Sequence, residues 1–153
     1  MRLHLYSVAR RPPAWAEAAC DEYLKRLGPG FELRLREFAP KSAATVEQQR
    51  EREAEMLLKA VPAAAWVVVL DERGDAWSTA DLAGHLRRWR EAAREVVFAI
   101  GGAEGHGASL RAAAHATWSL SRLTLPHALA RVVVVEQLYR AWSLLHNHPY
   151  HRA

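Results

Sequence analysis

Two short runs limit what this chain can fold into. Residues 65–71, AWVVVLD, and 95–102, EVVFAIGG, are apolar and β-branched almost throughout, and neither alternates with polar positions. Each is too short for a stable helix and has no wet face, so each reads as a strand buried on both sides. Strands of that kind belong to a parallel sheet with helices packed on both faces. The chain must therefore supply helices between its strands.

It does so in alternation. RLHLYSV places Leu3 and Leu5 between polar neighbours, and FELRLREF does the same with Phe31, Leu33 and Leu35. That two-residue period predicts half-buried strands. Between them Pro12–Leu27 puts Trp15, Ala19, Tyr23 and Leu27 at helical spacing and stops at GPG. Residues 45–61 read as a mostly solvated helix whose charge run forms a wet face. ERGDAW reads as a loop. Ser78 and Asp81 resemble a capping box ahead of the stripe Leu82, Leu86, Trp89, Ala93. GASLRAAAHA predicts a helix capped by Ser109, WSLS a short strand and RLTLPHA a turn. Four consecutive valines at 132–135 favour a strand, yet Leu129, Val132, Val133, Glu136, Tyr139, Arg140 and Ser143 step helically, so 128–145 is predicted as a helix. The expected fold class is α/β, a mainly parallel sheet flanked by helices, in one domain spanning 1–153.

The 153 residues are half apolar and a quarter charged, the balance of a globular domain and not of a disordered or fibrous chain. The longest apolar run, Val61–Leu70, contains a proline and is too short to span a bilayer. No signal segment opens the chain, and a cytoplasmic protein with no membrane partner is expected. Cys20 stands alone, which excludes a disulfide framework and fits a small buried side chain. The net charge of +4 lies entirely beyond Glu104, where Arg111, Arg122, Arg131, Arg140 and Arg152 face only Glu136, and six of the eight histidines lie there too. A basic, aromatic, histidine-rich final third suits an RNA partner, although a solvated arginine face has the same composition.

In α/β sheets ligands gather where loops leave the carboxyl ends of the strands. Three such ends stand out: VVVLDERG, ending on Leu70 and Asp71; FAIGGAEGHGAS, with Gly101, Gly102, Gly105 and Gly107; and SLSRLTLPHAL, turning at Pro126. The glycines let backbone approach a ligand closely or simply make turns. Their spacing is neither GxGxxG nor GxxxxGK[ST], and no GxSxG elbow is present. His146, His148 and His151 are spaced across a proline with no carboxylate close in sequence, which defines no metal site.

LDERGDAWSTADLAGHL, IGGAEG, WSLSRLTLPHALARVVVVEQLYRAWSLLHNHPYHR, LHLYSVAR and EYLKRL together resemble the RlmH family of SPOUT, or α/β-knot, enzymes. Its members methylate N3 of a pseudouridine in a hairpin of bacterial large-subunit (23S) ribosomal RNA. The similarity covers essentially the whole chain and is densest from Val96 to Arg152. The resemblance implies a homodimer with a carboxyl-terminal trefoil knot, S-adenosylmethionine as cofactor, large-subunit RNA or the ribosome as partner, and no metal.

By matching positions, the resemblance implies that Leu70 lines the adenine or ribose side, that Gly101 and Gly102 bring backbone to the cofactor, and that Ser121, Arg122, Leu123, Thr124, Leu125 and Pro126 close the wall. His151 with Tyr150, then His127, are candidates for accepting or orienting the N3 proton, and Arg140 for stabilising charge. Arg140, His148 and Arg152 are candidates for RNA contact. Two departures stand out: Ala103 replaces a proline after the two glycines, and 41–45 lacks a strong basic cluster. A non-catalytic RNA-binding module and a knot enzyme acting on transfer RNA are the competing readings.

Overall fold

The two apolar runs occupy the middle of the sheet. In a computed structural model, whose backbone is described for residues 1–152 and side chains for 1–151, five strands run parallel. They are β1 (Arg2–Val8), β2 (Glu32–Phe38), β3 (Trp66–Ala76), β4 (Val96–Ile100) and β5 (Ala116–Ser119), ordered β2-β1-β4-β3-β5. The helices are α1 (Ala14–Arg26), α2 (Val46–Ala60), α3 (Thr79–Glu91), α4 (Ala108–Ala113) and α5 (His127–Leu145), followed by a 3-10 turn at Pro149–Arg152.

Strand alternation sorts the side chains into two cores. Leu3, Leu5, Val68, Leu70, Val96, Phe98 and Ile100 face α1, α3 and α5, where they meet Cys20, Leu82, Leu86, Trp89, Val134 and Leu138. Tyr6, Val8, Val67, Val69, Val97 and Ala99 face α2 and α4, against Ala54, Leu57 and Leu110. Each face of the sheet is thus dry, as the uninterrupted valines require.

Several expectations shift. β1 alternates in sequence but is buried from Leu3 to Val8, because it lies inside the sheet between β2 and β4 and not at its edge. His4 is tolerated there through a 2.8 Å contact from Nε2 to Glu95. ERGDAW is not a loop: β3 runs on to Ala76, and after a register shift Asp75 and Ala76 pair with Trp118 and Ser119. Gly74 permits this, since a Cβ there would stand 2.6 Å from the Thr117 carbonyl oxygen. The strand expected at WSLS begins earlier, at Ala116.

On α1 the fully buried positions are Ala16 and Cys20, Tyr23 and Leu27 of the expected stripe pack half-buried against the same core, and Trp15 is 55 % exposed. Small residues on that face let α1 and α5 pack closely. On α5 the buried residues are Ala130, Arg131, Val134, Val135, Leu138, Tyr139, Ala141, Trp142 and Ser143, so Tyr139 and Ser143 of the expected stripe are buried while Val132, Val133, Glu136 and Arg140 are half-buried and Leu129 is exposed. Packing against the sheet overrides the strand propensity of the valines. α4 is capped by Gly107 and not by Ser109, whose hydroxyl is buried without a partner. The capping box of Ser78 and Asp81 forms as expected.

α5 ends in a Schellman turn: Asn147 takes a left-handed conformation (φ 53°), and the N–H groups of His148 and Asn147 donate to the carbonyls of Ser143 and Leu144. Asn147 therefore stops the helix.

Candidate functional site

At the carboxyl edge of the sheet the loops after β3, β4 and β5 enclose a cleft of about 520 Å³. That volume suits a small organic ligand, for which clefts of roughly 300–1,000 Å³ are usual. Leu70, Ile100, Trp118, Leu120 and Leu125 give it apolar walls, and Gly101, Gly102 and Gly105 present backbone. The glycine loop closes on itself, Gly105 N–H donating to the Gly102 carbonyl at 3.0 Å.

The walls are braced by polar side chains. Asp71, whose side chain is only 9 % exposed, accepts from the Arg73 backbone N–H at 2.9 Å and from Arg111 Nη1 at 2.8 Å. Burial alone would raise its carboxyl, but the Arg73 and Arg111 contacts outweigh burial and hold it at about 2. His106 Nε2 lies 2.9 Å from the Leu70 carbonyl oxygen. A carbonyl only accepts, so the ring is protonated at Nε2 and its Nδ1 keeps a lone pair. Burial lowers the His106 pKa and keeps the ring neutral. Thr124 donates to Glu72 at 2.9 Å, tying the loop after β5 to β3, while the Ser121 hydroxyl accepts from the Leu123 N–H at 2.9 Å.

Behind the glycine loop stands α2, and its charge run is not wholly wet. Arg50 Nε donates to the Glu104 carbonyl. Glu51 accepts from the Ser109 N–H at 3.3 Å, and Glu53 is 2 % exposed. A Cβ on Gly102 would lie 2.8 Å from Glu53 Oε1, so the glycine makes room for α2 and not for a ligand. His106, Arg50, Glu53 and Arg111 carried no signal strong enough to single them out in sequence. The one hint was Glu53 at helical spacing from the apolar Leu57.

Of the cofactor candidates, Leu70, Gly101, Gly102, Ser121, Leu123, Thr124 and Leu125 line the cleft. Arg122 is exposed in the same loop, and Pro126 caps α5 at its exit. His127 lines the cleft, and its Nδ1 is buried without a partner.

The other candidates lie elsewhere. α5 carries the chain about 27 Å, at 1.5 Å per residue, from His127 to Leu145. Tyr150 lies beyond that end but folds back along α5 to its middle, donating to Glu136 at 3.0 Å and packed on Tyr139 with ring centroids 4.5 Å apart. Arg140 pairs with Glu136 at 2.7 Å and sits over the Tyr150 ring. Burial, with help from Tyr23 and Glu136, pushes the Tyr150 hydroxyl above its ordinary range. His148 packs at 5.6 Å from Trp142, and His151 Nδ1 is buried without a partner. The Arg152 side chain lies outside the described residues.

The cleft residues fit S-adenosylmethionine. Apolar walls suit adenine, exposed loop backbone suits its edge, and Trp118 Nε1 and His127 Nδ1 are buried polar atoms lacking protein partners at the cleft. Among the described residues no group of His, Cys, Asp or Glu is arranged to hold a metal, and no helix is long and apolar enough to cross a membrane.

Residues 1–151 match the family model described as "Predicted SPOUT methyltransferase". The chain is 43 % identical to the ribosomal RNA large subunit methyltransferase H of Cupriavidus metallidurans, over the full length of both chains. It is also 43 % identical, again over the full length of both, to the proteins of that name from Burkholderia mallei and Burkholderia pseudomallei.

Proposed function

The chain belongs to the SPOUT methyltransferase family, and from that premise we propose that it transfers the methyl group of S-adenosylmethionine to N3 of a pseudouridine in large-subunit ribosomal RNA. The observation that carries the cofactor half is the cleft: three loops at the carboxyl edge of a parallel sheet combine apolar walls, open backbone and unpartnered buried nitrogens. The relatives' names support the RNA half, together with the basic final third.

Bound S-adenosylmethionine supplies the methyl group and a thioether leaving group. Everything else falls to the chain. Leu70 and Leu125 would hold the nucleoside beside the backbone of Gly101 and Gly102, and the Thr124–Glu72 contact ties the wall together. N3 carries a proton that must leave before the ring nitrogen can attack, and the charge left behind needs stabilising. His127 lines the cleft with its Nδ1 buried and unpartnered, at the first turn of α5, where the helix dipole also favours negative charge.

The tail folds back along α5 only as far as Glu136, about 13.5 Å along the helix from His127, and Tyr150 is held there and not at its own cleft. We therefore assign the second half of the site to a homodimer, in which Tyr150, His151 and Arg152 of one copy meet the cleft of the other. The half-buried outer face of α5, with exposed Leu129, supplies apolar surface for that pairing. With its hydroxyl pushed up by burial and already donating to Glu136, Tyr150 suits holding the tail in place and not accepting the base's proton. Cytoplasmic residence and the carboxyl-terminal knot follow from the same reading.

Purified large subunits, transfer RNA and labelled S-adenosylmethionine test it. Label is expected in large-subunit RNA containing the pseudouridine and not in RNA lacking it. Label in transfer RNA alone, or in neither, would overturn the assignment.

A further inference from the structure

Glu53 takes no part in the steps above, yet it is the most unusual charge near the cleft. Its side chain is 2 % exposed, Oε2 accepts only the Lys41 backbone N–H at 3.1 Å, and Oε1 has no hydrogen-bond partner. Oε1 comes within 2.8 Å of the place a Gly102 Cβ would occupy, and Gly102 lines the cleft. The carboxylate therefore stands one backbone thickness from the ligand space.

Among the described residues no side-chain cation forms an ion pair with it. Arg50, one turn earlier, gives its Nε to the Glu104 carbonyl, and Arg52 gives Nη1 to the Ser42 carbonyl at 2.7 Å. Lys41 contributes only its backbone N–H. Buried carboxylates normally meet a cation or several donors, because removing the charge from water is costly. One left half-satisfied beside a ligand cleft is a functional candidate.

We propose that Glu53 makes the cleft discriminate between the cationic methyl donor and its spent product, an inference that rests on the cofactor reading above. In the transfer, the deprotonated ring nitrogen forms the new N–C bond with its electron pair, and the C–S bond breaks with its pair remaining on sulfur. The sulfonium becomes a neutral thioether, S-adenosylhomocysteine. Between donor and product the cleft's occupant loses one methyl group and one positive charge. A fixed, unneutralised carboxylate behind Gly102 attracts the first and is indifferent to the second. Across several ångströms of protein, this is a preference of roughly tenfold. Glu53 is thus a positioning residue that acts through charge, and it eases product release after each turnover.

Calorimetric titration of the intact protein with S-adenosylmethionine and with S-adenosylhomocysteine decides the matter. Glu53→Gln keeps the size of the side chain and an acceptor for the Lys41 N–H while removing the charge. The expected result is a roughly tenfold fall in the preference for the donor over the product, with product affinity nearly unchanged. Equal weakening of both ligands would show that Glu53 merely holds the loop, and that outcome, like no change at all, overturns the proposal. Should Glu53→Gln fail to fold, Glu53→Asp retains the charge but withdraws it from Gly102 by one methylene. The preference should then fall by a smaller factor, and an unaltered ratio would count against the proposal. Wild-type protein that binds neither nucleoside would instead refute the cofactor reading.

Discussion

Replacing Asp71 with asparagine tests whether electrostatics or shape holds the mouth of the cleft. The residue ends the apolar half of β3, and its carboxylate joins the Arg73 N–H at 2.9 Å to Arg111 at 2.8 Å. Asparagine has the same outline and retains an acceptor for the Arg73 N–H, so the substitution removes little besides charge. The carboxyl is lowered from its ordinary 3.8 to about 2, which corresponds to about 2.5 kcal/mol of preference for the ionised form in the folded chain. Because Arg111 is 40 % exposed and rehydrates when released, the expected loss is nearer 2 kcal/mol. For a chain of this size that lowers Tm by about 4–8 °C.

The sign with pH follows from the direction of the shift. A lowered carboxyl contributes stability that is fully present above the ordinary 3.8 and vanishes as pH falls through about 2. Urea unfolding of wild type and Asp71→Asn at a series of pH values should show the full gap at neutral pH and a closing gap below roughly pH 4. A gap that does not change with pH would refute the electrostatic reasoning and leave only a shape effect. Affinity for S-adenosylmethionine should fall in the variant, since the Arg111 contact fixes the strand end from which Leu70 faces the cleft.

Two further outcomes follow from the packing. A Cβ on Gly28 would meet Trp142 Cζ2 at 2.2 Å, so Gly28→Ala must displace the indole that donates to the Pro29 carbonyl, and a loss of about 1–3 kcal/mol is expected by thermal unfolding. A chain lacking Tyr150–Ala153 should bind S-adenosylmethionine nearly normally but transfer no methyl group. Mixed with a Gly102→Val chain, whose new side chain collides with Glu53 and spoils the cleft, it should regain activity through the one intact composite site. Absence of any recovery in demonstrated mixed dimers would remove the tail from the partner's cleft.

The sheet was legible because its evidence is local. An unbroken apolar run has only one comfortable place in an α/β fold, and the capping box of Ser78 and Asp81 announces a helix start by chemistry confined to four residues. What misled was the assumption that a pattern states its own surroundings. β1 alternates as an edge strand would, yet neighbours on both sides bury it, and nothing within residues 2–8 encodes which strands those are. ERGDAW is polar enough for a loop but is held as strand by Trp118 and Ser119, more than forty residues on. Helix faces shifted for a related reason. On α1 and α5 the size of the partner surface, and not hydrophobicity alone, chose which side turned inward, so Ala16 and Cys20 displaced Trp15.

The same division runs through the site. Loops that leave the carboxyl edge of a parallel sheet were placed correctly by topology, and most of the residues singled out there share one cleft. The tail was singled out by composition, and composition carries no distance. α5 is nineteen residues long, and the tail that follows it folds back to Glu136 and stays about 13.5 Å along the helix from His127. Either the tail has no catalytic part or a second copy delivers it, and the tail's own chemistry favours the second. Tyr150, packed on Tyr139 and bonded to Glu136, presents residues 148–151 as an ordered surface beside the half-buried outer face of α5. An ordered tail next to a half-buried helix face with exposed Leu129 is what an antiparallel pairing of two such helices would use. That pairing would set the carboxyl end of each α5 beside the His127 end of the other, making dimer formation a condition for a complete site.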